Sequence, residues 1–122
     1  MSPDGVQDGA ALARFQEALV ERDRTRYDLM LFVNGASALS ARAVADVRAL
    51  GDAYLHGRYR LQVVDLRRNP GLVASRGVLA SPTLIKDQPL PKRVLVGDLS
   101  DTGRLLRALD IEPLAHSAPG SA

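Results

Sequence analysis

The chain contains no cysteine. That absence excludes a disulfide framework, a thiolate metal site and dithiol redox chemistry together. Tryptophan is also missing, and three tyrosines with two phenylalanines bring the aromatic share to only 4%. The core is therefore expected to be aliphatic, and platforms for stacking bases or sugars are scarce. Charge of one sign is concentrated nowhere: 16 basic and 14 acidic residues are interspersed, for a formal net charge of +2. A nucleic-acid partner is not expected from such a pattern. No apolar stretch approaches the roughly 20 residues that a bilayer span needs. Met1 to Gly9 is polar and acidic, with no basic segment leading into an apolar run, so no secretory signal is expected and the protein is read as cytoplasmic.

What is present fits a single α/β domain. A chain of 122 residues, 46% hydrophobic and 25% charged, has the make-up of an ordinary globular protein with one modest core. Residues 1–26 read as an N-terminal extension, in which Leu12, Phe15 and Leu19 recur at helical spacing and predict a short amphipathic helix over Ala10 to Arg24. Such a helix is either a partner-docking element or a marginal, frayed extension. Tyr27 to Val33 is rich in β-formers, nearly continuous in apolar character, and ends at the turn pair Asn34-Gly35; it predicts a strand covered on both faces. Ala43, Val44, Val47, Leu50 and Tyr54 fall at spacings of three and four and predict a helix from Ser40 to His56, stopped by Gly57. Tyr59 to Leu66 reads as a second strand, ended by Asn69-Pro70.

Strand, helix and strand joined by connections too long for a hairpin make a right-handed βαβ unit with parallel strands. Leu72 to Leu79 then suggests a short helix, and Thr83 to Lys86 and Arg93 to Val96 two short strands around the Pro89-Leu90-Pro91 break. Ser100 is the expected N-cap of a last helix from Asp101 to Leu109, with Leu105, Leu106 and Leu109 as its core face. The order βαβ followed by αββα over residues 27–112 is the thioredoxin-like arrangement, and 113–122 reads as a flexible tail.

In that arrangement the reactive site lies at the start of the first core helix, where amides and the helix dipole stabilise a thiolate. Here the segment is Asn34-Gly35-Ala36-Ser37-Ala38-Leu39. A serine hydroxyl ionises far too weakly to replace the thiol without a partnered base. His56 ends the helix at its opposite pole, where it reads as a C-terminal cap, and His116 lies in the tail, so neither supplies that base. Two histidines so far apart, with scattered carboxylates, also lack metal-ligand spacing. No catalytic residue, cofactor or metal is expected. Gly97-Asp98-Leu99-Ser100 superficially suits phosphate, but Asp98 would repel an anion and capping explains the segment better. Ser81-Pro82-Thr83 occupies the place where thioredoxin-like proteins carry a cis proline; an ordinary trans proline opening an edge strand is the plainer alternative.

These residues together resemble the KaiB family. Tyr27 to Val33 with Asn34-Gly35, Leu61 to Leu66 with Asn69-Pro70, Leu79-Ala80-Ser81-Pro82-Thr83-Leu84, Pro89-Leu90-Pro91, Gly97-Asp98-Leu99-Ser100-Asp101 and Leu109-Asp110 occur in the family's order, covering Tyr27 to Asp110. The resemblance implies a non-catalytic clock protein that binds the ATPase ring of KaiC and favours its dephosphorylation. It also implies two folds: an inactive, usually tetrameric state that keeps the βαβ half, and a thioredoxin-like monomer that binds KaiC. The family includes the sensor domain of a KaiC-associated histidine kinase, so an adaptor for such a kinase is the alternative function; a cysteine-free thioredoxin-like enzyme is a third reading. Positions matching the KaiC-facing edge are Arg42, Arg60, Gln62 and Arg68, to be weighed against simple solvated charge.

Pro82, Pro89, Pro91, Ala108 and Asp110 mark the half expected to rearrange, whose short segments leave two packings close in energy. Many family members carry Gly where this chain has Ala108. An alanine inside a helix is better by roughly 1 kcal/mol, which would bias the chain about fivefold toward the thioredoxin-like state. The 25-residue extension, and Gln62 where Lys is common, depart from the family pattern.

Overall fold

The computed structural model describes residues 9–17 and 25–111. Residues 9–17 form a helix, α1. The rest runs β1 (Tyr27–Val33), α2 (Ala38–Tyr54), β2 (Tyr59–Asp65), α3 (Pro70–Arg76), β3 (Thr83–Gln88), β4 (Arg93–Val96) and α4 (Thr102–Ala108). The expected order of elements is therefore present. Residues 18–24 of the predicted first helix, with Leu19, and the tail at 113–122, with His116, lie outside the described residues.

The four strands form one sheet in the order β2-β1-β3-β4. β1 and β2 run parallel, Tyr27 beside Tyr59 through Val33 beside Asp65, as the long α2 crossover requires. β3 lies antiparallel to β1 and β4 antiparallel to β3. β1 is central, which explains its continuous apolar run: alternate residues face opposite layers, and both are covered. Leu29, Leu31 and Val33 pack with Ala43, Val47 and Leu50 of α2 and Leu105, Leu106 and Leu109 of α4. Phe32 packs the other way, with Val64, Val78 and Ile85, under α3.

Local chemistry sets the element ends. Ser37 caps α2, its hydroxyl accepting from the Ser40 amide at 3.1 Å, so the helix begins at Ala38, two residues before the expected Ser40. The helix closes at Tyr54, before His56, and no basic residue occupies its last turn. The expected histidine cap is replaced by arginine: Arg58 donates to the Tyr54 carbonyl at 3.1 Å, while Arg26 donates to the carbonyl of Gly57 in the loop that follows. α3 opens on Pro70 and ends at Gly77, whose φ of 67° completes a left-handed cap; it starts earlier than the predicted Leu72 because proline at the first helical position loses no bond. α4 is capped by Asp101, not Ser100: the Asp101 carboxylate accepts from the Arg104 amide at 3.1 Å, while the Ser100 amide donates to Asp98 at 2.9 Å. The Ser81-Pro82 peptide is cis, as are those before Pro89 and Pro91.

Gly51 lies in the last turn of α2, where glycine costs up to about 1 kcal/mol against alanine. The Tyr59 ring explains it. A Cβ at Gly51 would stand 2.5 Å from that ring, which leans over the helix to donate its hydroxyl to Asp52 at 2.8 Å. The phenol's pKa is raised, first by burial and then by the bond to Asp52.

Candidate partner-docking site

The start of α2 is bordered on one side by Pro82 and on the other by the free edge of the sheet. Between α2 and the loop before α4 lies a groove of about 380 Å³, lined by Leu39, Arg42, Asp46, Pro82, Asp98 and Ser100 among others. Leu39 stands 61% exposed at its mouth. On the far side of the α2 start, Ala36, Ser37, Val44 and the 40% exposed Val63 of β2 border a second, shallower depression.

The Ser37 hydroxyl is committed to structure. It accepts from the Ser40 amide and donates to the Ser40 hydroxyl at 2.9 Å, and Ser40 passes its own proton toward the Asn34 carbonyl at 3.3 Å. This chain of bonds fixes the turn into α2, and His56 follows the other end of the helix. Asp65 ties the same turn to the end of β2, accepting from the Gly35 amide at 3.2 Å and the Arg67 amide at 2.9 Å. Its carboxyl is held below the usual range, chiefly by the Arg67 amide, with the Gly35 amide and the Arg67 and Arg68 guanidiniums adding to it. Asp98, on the groove's other wall, is likewise lowered: the Ser100 hydroxyl and amide donate to it, and Arg104 and Arg42 add positive field. The groove thus presents an apolar anchor, fixed carboxylates and a guanidinium, which suits docking rather than bond making.

The four expected partner residues do not form one patch. Arg42 is exposed on α2 and lines the groove. Arg60 and Gln62 are exposed on the edge strand β2 and share the side of Val64, which packs under α3; they therefore face away from Arg42. Arg68 follows the end of β2, its guanidinium 3.9 Å from the Asp65 carboxylate. Arg60 also borders a polar depression with Arg26 and Arg58 at the opposite end of that strand.

Of the residues expected to rearrange, Pro82 is buried against the groove, and Pro89 and Pro91 flank the β3–β4 turn. Ala108 is the last residue of α4 rather than an interior one, so the helix-propensity increment applies to it only in part. Asp110 adopts a left-handed φ of 55° and accepts from Arg93 Nε at 2.5 Å, fastening the end of α4 to β4. Beside that pair lies Lys86, 1% exposed, its pKa lowered by burial against the opposing pull of Asp110. Sequence reading passed over Lys86 and Leu39. The signal for Lys86 was its parity with Leu84 on a predicted strand, which put it on the core side.

Among the described residues no helix is long and apolar enough to cross a membrane, and no group of acidic, histidine or cysteine side chains is placed to hold a metal. Comparison with known proteins agrees with the motifs. The KaiB domain model matches residues 30–111. The circadian clock oscillator protein KaiB of Synechococcus elongatus is 40% identical over 88 residues, 72% of this chain and 86% of that protein. Among solved structures, the N-terminal domain of Synechococcus elongatus SasA superposes with a TM-score of 0.60 at 29% identity, over 72% of this chain and 87% of that one. Mitochondrial thioredoxin 3 of Saccharomyces cerevisiae, at 16% identity, superposes with a TM-score of 0.54 over 81% of this chain and 88% of its own; it shares the thioredoxin-like fold.

Proposed function

The chain belongs to the KaiB family, and on that premise we propose that it is a non-catalytic regulator that binds a KaiC-type ATPase ring and shifts its phosphorylation state, in circadian timing or stress adaptation. The observation that carries this reading is the groove at the start of α2. Where related folds do thiol chemistry, this chain presents exposed Leu39 beside Arg42, Asp46 and Asp98, the apolar centre and charged rim of a protein-docking surface. Leu39 and Arg42 anchor the ring there. Arg60, Gln62 and Arg68 form a separate contact along the β2 edge, where side-chain charges steer the partner and backbone groups stand open. The resting protein is an oligomer, tetrameric or dimeric, in exchange with the thioredoxin-like monomer. The half carrying Pro82, Pro89, Pro91, Ala108 and Asp110 rearranges between them. The likeness to the SasA N-terminal domain favours a second reading, an adaptor that engages a histidine kinase through the same surface.

Size-exclusion chromatography with light scattering, alone and after long incubation with a KaiC-type ring and ATP, tests the proposal. Co-elution is expected, and Arg42→Glu is expected to weaken it by roughly tenfold or more, as for a charge-reversed anchor at an interface. Absence of co-elution under every nucleotide condition would overturn the ring as partner and favour the kinase.

A further inference from the structure

Besides Leu39 and Val63 at the start of α2, two further exposed apolar surfaces stand out among the described residues. One is the part of the sheet that α3 leaves open. There Leu79 is 97% exposed, Val94 55% and Val96 47%, and with Arg76, Val78 and Ile85 they line an apolar groove of about 220 Å³. The other is α1, whose Leu12 and Phe15 are 54% and 58% exposed one helical turn apart. Neither surface is covered by any described element.

We propose that α1 docks in this groove of its own chain, as the second helix of the layer that holds α3. The chain between the two is long enough. Val94 lies opposite Ile85, and Ile85 opposite Met30, so the groove is two strand spacings across from β1 and three residues along from Tyr27. Adding the height of a helix layer, the path is under about 20 Å, whereas residues 18–24 alone reach up to about 25 Å when extended. A tether this short holds α1 at a millimolar effective concentration, so a second copy at micromolar concentration competes at a large disadvantage.

Docking would cover both apolar surfaces at once.

The absence of cysteine makes the test clean. Phe15→Cys with Val94→Cys, oxidised at micromolar concentration, is expected to form a disulfide within one chain, at a rate independent of protein concentration. Phe15→Cys with Arg48→Cys, on the opposite side of the sheet, is the control, and the first pair should close at least roughly tenfold faster, as expected from differences in effective concentration. Equal rates, or a bond found only between chains, would overturn the proposal, the latter naming a second copy as the occupant. Independently, Phe15→Ser should speed hydrogen exchange at β4 amides by roughly tenfold, since half a phenylalanine's burial is lost there. Unchanged exchange at β4 would also overturn it.

Discussion

The two faces of the sheet are built to different depths. On the α2 and α4 side, fifteen buried residues from five elements and the loops between them form one cluster among the described residues; on the α3 side there are four, and α3 itself buries none of its seven residues completely. Both faces derive from the same strands, so the difference comes from the covering helices. α2 presents a full stripe of Ala43, Val47 and Leu50, while α3 is two turns long and offers only the partly buried Leu72 and Val73. The deep face draws about equally on the βαβ unit and on the segments from Leu84 to Ile111, so it ties the two halves of the chain together. The thin face is held by few contacts, and elements with few buried contacts open most readily.

Core truncations should break this symmetry most visibly. Leu84→Ala, at a fully buried position on the deep face, is expected to cost about 3 kcal/mol, and Leu72→Ala, partly buried on the thin face, about 1 kcal/mol. Urea denaturation of both variants gives the ratio directly; equal losses would show that the thin face carries as much of the fold as the deep one. A smaller effect is expected at Gly51. Alanine gains up to about 1 kcal/mol of helix propensity there, but its Cβ would stand 2.5 Å from the Tyr59 ring and must displace it. The net expectation is a loss of about 1 kcal/mol. In a Tyr59→Ala background the same substitution should become stabilising, and a thermal-unfolding cycle of the four proteins measures that reversal.

How much of this was legible in the sequence depended on what kind of signal each feature leaves. The order of elements, the parallel βαβ unit and the faces of α2 and α4 follow from periodicity, because burial on one side of a regular element repeats at fixed spacing. The depth of the two faces does not, since it depends on how far each helix extends over a sheet whose order is not written in any local pattern. Helix ends fell between these cases. Ser100 and Asp101 are adjacent and both can cap, and the choice was made by Asp98, which holds the Ser100 amide and leaves Asp101 to accept from Arg104. The capping of α2 by Arg58 was hidden because it approaches from the start of β2, outside the helix. At the candidate site, Arg42 was singled out through the family resemblance and lines the groove, but its separation from Arg60 and Gln62 is a matter of strand parity and sheet order. Leu39 escaped because an exposed leucine leaves no pattern at all.

The smallest effect concerns the two carboxylates that frame the start of α2 and the loop facing it, and it sharpens the comparison by asking whether the deep face depends on its turns. Asp65 and Asp98 both have pKa values below 3.8 in the folded chain because backbone amides and a hydroxyl donate to the ionised form. A folded-state pKa below the unfolded value means that the unfolded chain binds more protons in the interval between them. The stabilisation is therefore complete above the ordinary carboxylate range and is lost as pH falls through the lowered values. Asp65→Asn should reduce stability at pH 7 and flatten the acid limb, so that variant and parent converge as pH falls through the lowered value. Because Asp65 holds Gly35 to the end of β2, hydrogen exchange in the Asn34–Ser37 turn should quicken while the amides of β3 stay as protected as before. Parallel loss of protection in β3 would mean that the turn and the deep core open as one unit, and that the sheet's two faces are less independent than their burial suggests.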